Sequence, residues 1–457
     1  MKENLTILGG GITGLSAAYL AAKDGWDVTV LEGSAQLGGL IRTFQIGGNR
    51  LEHYYHHFFT HDAELLWLLS ELNLTDSLEF KETTMGVFRD NKIYDFNTPG
   101  DLLKFSPMSI LDKVRFGLSS IYLGKFANWR NWEDISALAW FYKYAGKQAT
   151  ESLWKPMLEI KFGPYAKEVP LAWMIGRLKQ RMNSRKGIRE RLGYLNGSLQ
   201  ILLDALVSRL QEMGAKIILK AQVKELLIEN NILYGVDTTS GKFKNGLYLA
   251  TLPVTHLAPL LKKDASDYAS ELVKIKYFGA ICMILELDRP LSHIYWLNVA
   301  DPGFPFGGII EHTNFIPPDK YNGSHIVYLS RYFDNQTDPL SSASASEVKS
   351  QMLKPITQIN SRFKHSWIKN LYFFRTNTSA IVCDLNFSQK VPNCVTPIKN
   401  LFLANMSHIY PDERSCNNSI RVAAQACKKM GIDSSVVPFN SSLAGKIGME
   451  VDFYETH

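Results

Sequence analysis

Apolar and polar positions along this chain follow two rhythms in turn. Leu5-Thr6-Ile7-Leu8 is a short apolar run of the kind that forms a buried parallel strand. Leu15 to Lys23 is rich in alanine and predicts a helix, with Gly25 as its stop. Val28-Thr29-Val30-Leu31 predicts a second strand, which ends at Glu32. The rhythm returns at Gly193–Asn231: a glycine turn, an amphipathic helix ending near Gly214, a strand at Lys216–Leu219 and another beginning near Val223. "LYLATLPVTHLAPLL" reads as a further strand and a Pro-containing turn. Near the end, Leu401–Ala404 predicts a buried strand and Ser419–Lys429 a helix.

Two long insertions separate these segments. Lys81–Arg191 is helical and aromatic-rich. Val273–Pro392 holds strand-like runs at Ala280–Leu287, Gly307–His312, His325–Phe333 and Leu371–Arg375. Together they predict a substrate domain of mixed sheet and helix. Within the first insertion, Leu102–Trp132 is basic, aromatic and partly helical in period. It could lie on a membrane interface or frame the opening for a lipid-like substrate. A helical subdomain with its apolar face in the core is the simpler expectation.

Composition narrows the classes. The 457 residues hold two or three domains' worth of core. No uncharged apolar run reaches the roughly 18 residues of a membrane-spanning helix. The apolar stretch after Lys2 is broken by glycines and lacks a small-residue cleavage site, so a cytoplasmic protein is expected. Cys282, Cys383, Cys394, Cys416 and Cys427 form no CxxC pair and predict reduced thiols without a zinc site. The net charge of +6 suits an anionic ligand or a membrane surface and does not by itself indicate nucleic acid.

The opening stretch carries the chemistry. Gly9, Gly11 and Gly14 make G-x-G-x-x-G between a predicted strand and a predicted helix. The first glycine permits the tight turn, the second lets backbone approach a pyrophosphate, and the third lets helix and strand pack closely. The helix N-terminus, at Thr13 and Gly14, offers unpaired N–H groups to phosphate. Glu32, about 20 residues on, can hold ribose hydroxyls and disfavours a 2′-phosphate. Gly38-Gly39 and Arg42 follow at once. An NAD-only domain has no use for them, whereas a larger dinucleotide can use close backbone and a cation against its pyrophosphate.

"LGGGITGLSAAYLAAKDGWDVTVLEGSAQLGGLIRT" resembles the FAD-binding signature of the flavin amine oxidase superfamily. "LGGLIRT" is most similar to its protoporphyrinogen oxidase-like branch, and UDP-galactopyranose mutases are more distant. The resemblance implies an α/β fold: a Rossmann-like FAD domain of the glutathione-reductase type with an inserted α+β substrate domain. The FAD domain would take 1–80, 192–272 and 393–435, the substrate domain 81–191 and 273–392, and a tail 436–457. It further implies that Glu32 holds the adenosine ribose, that Arg42 and the glycine backbone hold the pyrophosphate, and that Val223 meets adenine through its backbone. "NLFLANMSHIYPDERSCNNSIRVAAQACKKM" resembles the C-terminal flavin motif, but Asn405-Met406 stands where the family has Gly-Asp.

For catalysis, "RLEHYYHHFFTHD" is the densest cluster, with Tyr55, His56 and His57 as candidates. In the superfamily this region runs near the flavin ring, and it is similar to the "Y-G-x-H-x-F-H-T" stretch of the mutases. The histidines could bind phosphate or tune flavin protonation, or the segment could be a structural loop under the flavin. A covalent flavin through His57 or Cys416 is a remote alternative. Glu311-His312, Arg331 and Arg375 sit near predicted strand ends, where the arginines could clamp an anion. The amine oxidase lysine near flavin N5 has no counterpart in "GAICMILEL". The expectation is an FAD-dependent oxidoreductase taking a hydride from a small molecule, anionic or lipid-like, with peripheral membrane contact open. The alternatives are a mutase-like isomerase using reduced FAD on a nucleotide sugar, a non-catalytic flavoprotein and, more distantly, an NAD-dependent dehydrogenase.

Overall fold

The computed structural model describes residues 3–438, apart from 188 and 245. Most of the expected tail at 436–457 lies outside the described residues. Five parallel strands form the first sheet: β1 (Asn4–Leu8), β2 (Asp27–Leu31), β3 (Lys216–Ile218), β4 (Leu247–Ala250) and β5 (Leu401–Leu403). Their order is β3-β2-β1-β4-β5. Leu5, Ile7, Leu8, Val28 and Val30 are wholly buried, because helices cover the sheet and leave β1 no polar face.

The helix Ile12–Lys23 starts three residues earlier than its alanine run predicts. It packs against the C-terminal helix Cys416–Lys429, which Ser415 caps by accepting from the Asn418 N–H at 3.1 Å. An antiparallel layer, Val223–Glu229, Ile232–Thr238 and Gly241–Lys244, follows β3 in the chain.

The second domain is built on a seven-stranded sheet. Its fully buried strand, Tyr277–Leu287, is second from one edge, between His325–Asp334 and the edge strand Ile368–Ile381. All four strand-like runs of the second insertion belong to this sheet, and Trp296–Val299, Met85–Arg89 and Lys92–Asp95 complete it. The period of two sorts its side chains. Ile281, Met283, Leu285, Leu329 and Phe333 share one core, while Cys282, Ile284, Tyr328 and Phe374 face Phe44, Tyr54 and Tyr55 from the first domain. Ile281 stands opposite both Arg331 and Arg375, so these arginines belong to the face turned away from the first domain.

Leu102–Trp132 meets its expectation in part: Phe105, Met108, Phe116, Leu123 and Trp129 are in the core. It forms the helices Pro99–Lys104 and Ile110–Ile121 followed by short turns. Beside this core face, several large apolar residues of Ile110–Ile121 point to solvent.

Candidate functional site: a dinucleotide cradle and a cationic chamber

Gly9 closes the tight turn after β1 with φ +121°, and a Cβ there would lie 2.6 Å from Thr251 Oγ1. A Cβ on Gly14 would lie 2.0 Å from the Gly9 carbonyl oxygen, so close helix–strand packing requires glycine. A Cβ on Gly11 would meet nothing within 4 Å. The protein leaves space there, where a dinucleotide needs it. Gly11 is also the N-cap of the helix Ile12–Lys23 and supplies no side-chain cap, so the first-turn N–H groups, Thr13 and Gly14 among them, remain for a phosphate.

The second glycine pair folds back onto the first. Gly38 N–H donates to the Gly10 carbonyl at 2.8 Å, and Gly38 and Gly39 have φ of +105° and +56°. Glu32 accepts from the N–H groups of Gly10 and Ser34, each at 2.8 Å. A carboxylate has about four acceptor positions, so capacity remains for ribose hydroxyls. Arg42 reaches Ser34 Oγ at 2.7 Å and Glu32 at 3.4 Å, while its Nε is buried with no partner. Glu32 N–H donates to the Ile218 carbonyl, and Ala221 N–H returns a bond to the Glu32 carbonyl at 2.8 Å. This brings Val223, which opens its strand, near Glu32. The open space at Gly11, the uncapped helix and the orphaned Arg42 Nε all fit a dinucleotide diphosphate.

Asn405 lies at the end of β5, and its side chain is occupied within the protein. Its Nδ2 donates to the Leu252 carbonyl at 2.6 Å, and its Oδ1 accepts from Ser407 N–H at 2.9 Å and Ser407 Oγ at 2.6 Å. The departure from Gly-Asp therefore works as a loop clamp, and Met406 packs against the cores on both sides of the sheet.

The His–Tyr segment joins the two domains. Tyr55 packs edge-on to Trp296 at 4.9 Å, and His57 does so at 5.6 Å. His57 Nδ1 lies 3.4 Å from the Tyr295 hydroxyl, and His56 Nδ1 lies 2.6 Å from the Tyr54 carbonyl. Burial is the main cause holding His56 down at about 4 and His57 at about 3, with cationic neighbours adding to it. Both rings are neutral at physiological pH and cannot supply positive charge to a phosphate. The Cys416 thiol is pushed up to about 12 by burial and stays protonated, which does not favour a thiolate attachment to flavin.

Positive charge comes from residues the sequence did not single out. Lys161 Nζ lies 4.7 Å from the Trp173 ring centre and 5.5 Å from that of Tyr332. The Arg177 guanidinium lies 4.6 Å from the same tryptophan and pairs with Glu413. Arg181 lies 5.6 Å from the Trp296 ring and bonds Glu190 at 2.9 Å. Arg414 donates to the Tyr332 hydroxyl at 2.5 Å. Among the described residues, Lys161 and Arg414 have no carboxylate within 4 Å. Burial, then Arg177 and Arg414, hold the Lys161 ammonium well below its ordinary range. Burial, then Arg181 and Arg414, bring Arg177 down to about 9, still protonated at neutral pH. A cavity of about 350 Å³ adjoins the cluster; Lys161, Tyr332 and Arg331 line it together with Glu159, Asp334 and Asp338.

The spacing Trp173–Arg177–Arg181, four residues apart on the helix Leu171–Asn183, was the available sequence signal. Of the arginines that sequence position favoured, Arg375 is not brought to this cluster, and Arg331 lines the adjoining cavity but stands on the opposite face of its strand from Tyr332. Arg331 pairs with Asp338 at 2.6 Å, and Arg375 donates to the carbonyls of Ser341 and Ala343. Both tie down one turn on the far face. Glu311 accepts from the N–H groups of Leu291 and Ser292, and His312 bonds Tyr321 at 2.8 Å, so this pair is engaged in loop structure.

A parallel-sheet dinucleotide domain joined to a second sheet over an aromatic chamber defines a two-domain flavoprotein fold. Residues 12–411 match the family described as flavin containing amine oxidoreductase, and the chain belongs to it. That makes it an FAD-dependent oxidoreductase by family. A coproporphyrinogen III oxidase of Staphylococcus aureus is 27% identical over 170 residues, which are 35% of this chain and 36% of that protein. The match thus spans about a third of that relative's length. A structure from Exiguobacterium sp. 255-15, provisionally described as a protoporphyrinogen oxidase, superposes with a TM-score of 0.73 at 16% identity, covering 94% of this chain and 99% of that one. Reduced UDP-galactopyranose mutase gives 0.74 at 13% identity, covering 97% and 98%. At such identities the structures establish the shared fold.

Proposed function

We propose that this enzyme oxidises an anionic small molecule that carries a flat or apolar body. One observation carries the reading: cations crowd an aromatic-lined chamber with fewer carboxylates than they need. Buried charge without a partner is costly, and an anionic substrate supplies the missing partner. Bound FAD supplies the two-electron acceptor, and dioxygen or another acceptor completes the cycle.

In this proposal the protein's residues bind and orient. Glu32 and Arg42 hold the ribose and pyrophosphate, the N–H groups of Thr13 and Gly14 meet phosphate, and Val223 meets the adenine. Lys161, Arg177, Arg181 and Arg414 clamp the substrate's carboxylates or phosphates, while Trp173, Trp296 and Tyr332 offer ring faces to its body. His57, beside Tyr55 and Tyr295, is held neutral by burial and the nearby arginines, so it lines the chamber as an uncharged ring and does not serve as a base.

The same cations favour one second reading, an isomerase acting on a nucleotide diphosphate sugar. The relative coproporphyrinogen III oxidase and the structural neighbour UDP-galactopyranose mutase point to different substrates, and both are anionic. Anaerobic mixing with anionic and neutral donors separates the readings. Oxidation predicts flavin bleaching by an anionic donor, with stoichiometric product. Isomerisation predicts turnover of a nucleotide sugar only after the flavin has been reduced. If neutral analogues serve as well as anionic ones in either assay, the proposed use of the cations is wrong.

A further inference from the structure

The helix Ile110–Ile121 and the turn Tyr122–Phe126 have two unlike faces. Asp112, Lys113, Phe116, Ser119 and Leu123 are buried. On the other side, Ile110, Leu111, Val114, Leu118, Ile121 and Phe126 are 46–74% exposed. Most recur at steps of three or four and form one stripe. Scattered exposed apolar residues are ordinary, but a contiguous stripe of large ones marks a contact surface. This helix already has a core face in Phe116 and its neighbours, so the stripe is a second apolar face.

The surroundings of the stripe are cationic. Lys104, Lys125 and Arg130 are exposed around it. The one carboxylate between Leu102 and Trp132, Asp112, is turned inward, where it accepts from Gln148 N–H at 2.7 Å. We propose that this stripe seats the protein on an anionic phospholipid surface, its apolar side chains in the acyl boundary and its cations among the headgroups. A second copy of the chain is the poorer occupant, because pairing two such stripes would bring like charges together. The contact would lie directly behind the chamber wall. Gly124 packs so tightly against Met182, on the helix that carries Arg177 and Arg181, that a Cβ on it would lie 2.2 Å from the sulfur.

The test is co-sedimentation of the FAD-loaded full chain with vesicles of phosphatidylcholine alone, or with about one-third phosphatidylglycerol. Binding to the anionic vesicles is expected, weakened by salt. Leu111→Ser/Leu118→Ser/Phe126→Ser is expected to weaken it about tenfold or more, and Lys104→Gln/Lys125→Gln to weaken it only on anionic vesicles. All five positions are exposed, and an unchanged flavin spectrum and melting temperature report an intact fold. Failure of the wild-type chain to bind either vesicle overturns the proposal. So does wild-type binding by the triple variant, or a concentration-dependent dimer that the triple variant abolishes without vesicle binding.

Discussion

Gly11→Ala separates the needs of the protein from those of its cofactor. Gly11 has φ −77° and ψ 177°, an extended conformation open to any residue, and its added Cβ would meet no protein atom within 4 Å. The FAD-free protein should therefore melt within about 1 °C of wild type. The new methyl group would stand where the pyrophosphate approaches and push it off the helix N-terminus. Losing one charge-assisted hydrogen bond costs about 1.5–3 kcal/mol, or roughly 10–150-fold in affinity. At FAD of about 100 times its Kd, the ligand stabilises the fold by about 2.7 kcal/mol; a 100-fold weaker Kd leaves about 0.4 kcal/mol at the same concentration. The expected outcome is a loss of about 2.3 kcal/mol from FAD-induced stabilisation with an unchanged apo melt. Calorimetric melts with and without FAD measure both. Wild-type FAD affinity in Gly11→Ala would refute the placement of the pyrophosphate over this residue.

Gly14→Ala should act oppositely, destabilising even the apo protein by about 1–3 kcal/mol or more, because its Cβ meets the Gly9 carbonyl; an apo melt decides it. Lys161→Met should weaken an anionic substrate about tenfold or more and spare a neutral analogue, as read from the concentration dependence of flavin reduction. Because the free ammonium's pKa is depressed, anion affinity should fall as pH rises through its titration, and Lys161→Met should remove that component. Half-buried His53, His56 and His61, each held down to about 4, stabilise the fold above about pH 6.5; this contribution should be lost as pH falls toward 4, lowering the melting temperature. Arg421→Met should cost about 3–5 kcal/mol in a denaturant melt, since it leaves Glu64 and Asp412 buried without their cation.

The first domain was the more legible. Its inner strands β1 and β4 are continuous apolar runs buried on both faces, and glycines with fixed geometric duties punctuate the domain, so local pattern and tertiary role coincide there. The second sheet was legible as strands but not as faces. Arg375, expected at a strand end, lies in the middle of Ile368–Ile381, and register with Ile281 puts both Arg331 and Arg375 on the face turned away from the first domain. That register depends on partners distant in sequence. The cation cluster was hidden for the same reason: Lys161, Arg177 and Arg414 come from three segments and meet only through folding. The histidine cluster was conspicuous in sequence, but burial removes the charge that made it attractive. Asn405 looked like a lost flavin contact until its three hydrogen bonds showed what it holds.

The most direct test is the visible spectrum of the FAD-loaded protein, recorded anaerobically while an anionic donor such as a porphyrinogen carboxylate is added, for wild type beside Lys161→Met/Arg414→Met. The account predicts flavin bands that bleach in the wild type and bleach far more slowly at equal donor concentration in the variant. Equal bleaching in both, or a protein that takes up no FAD at all, would contradict it.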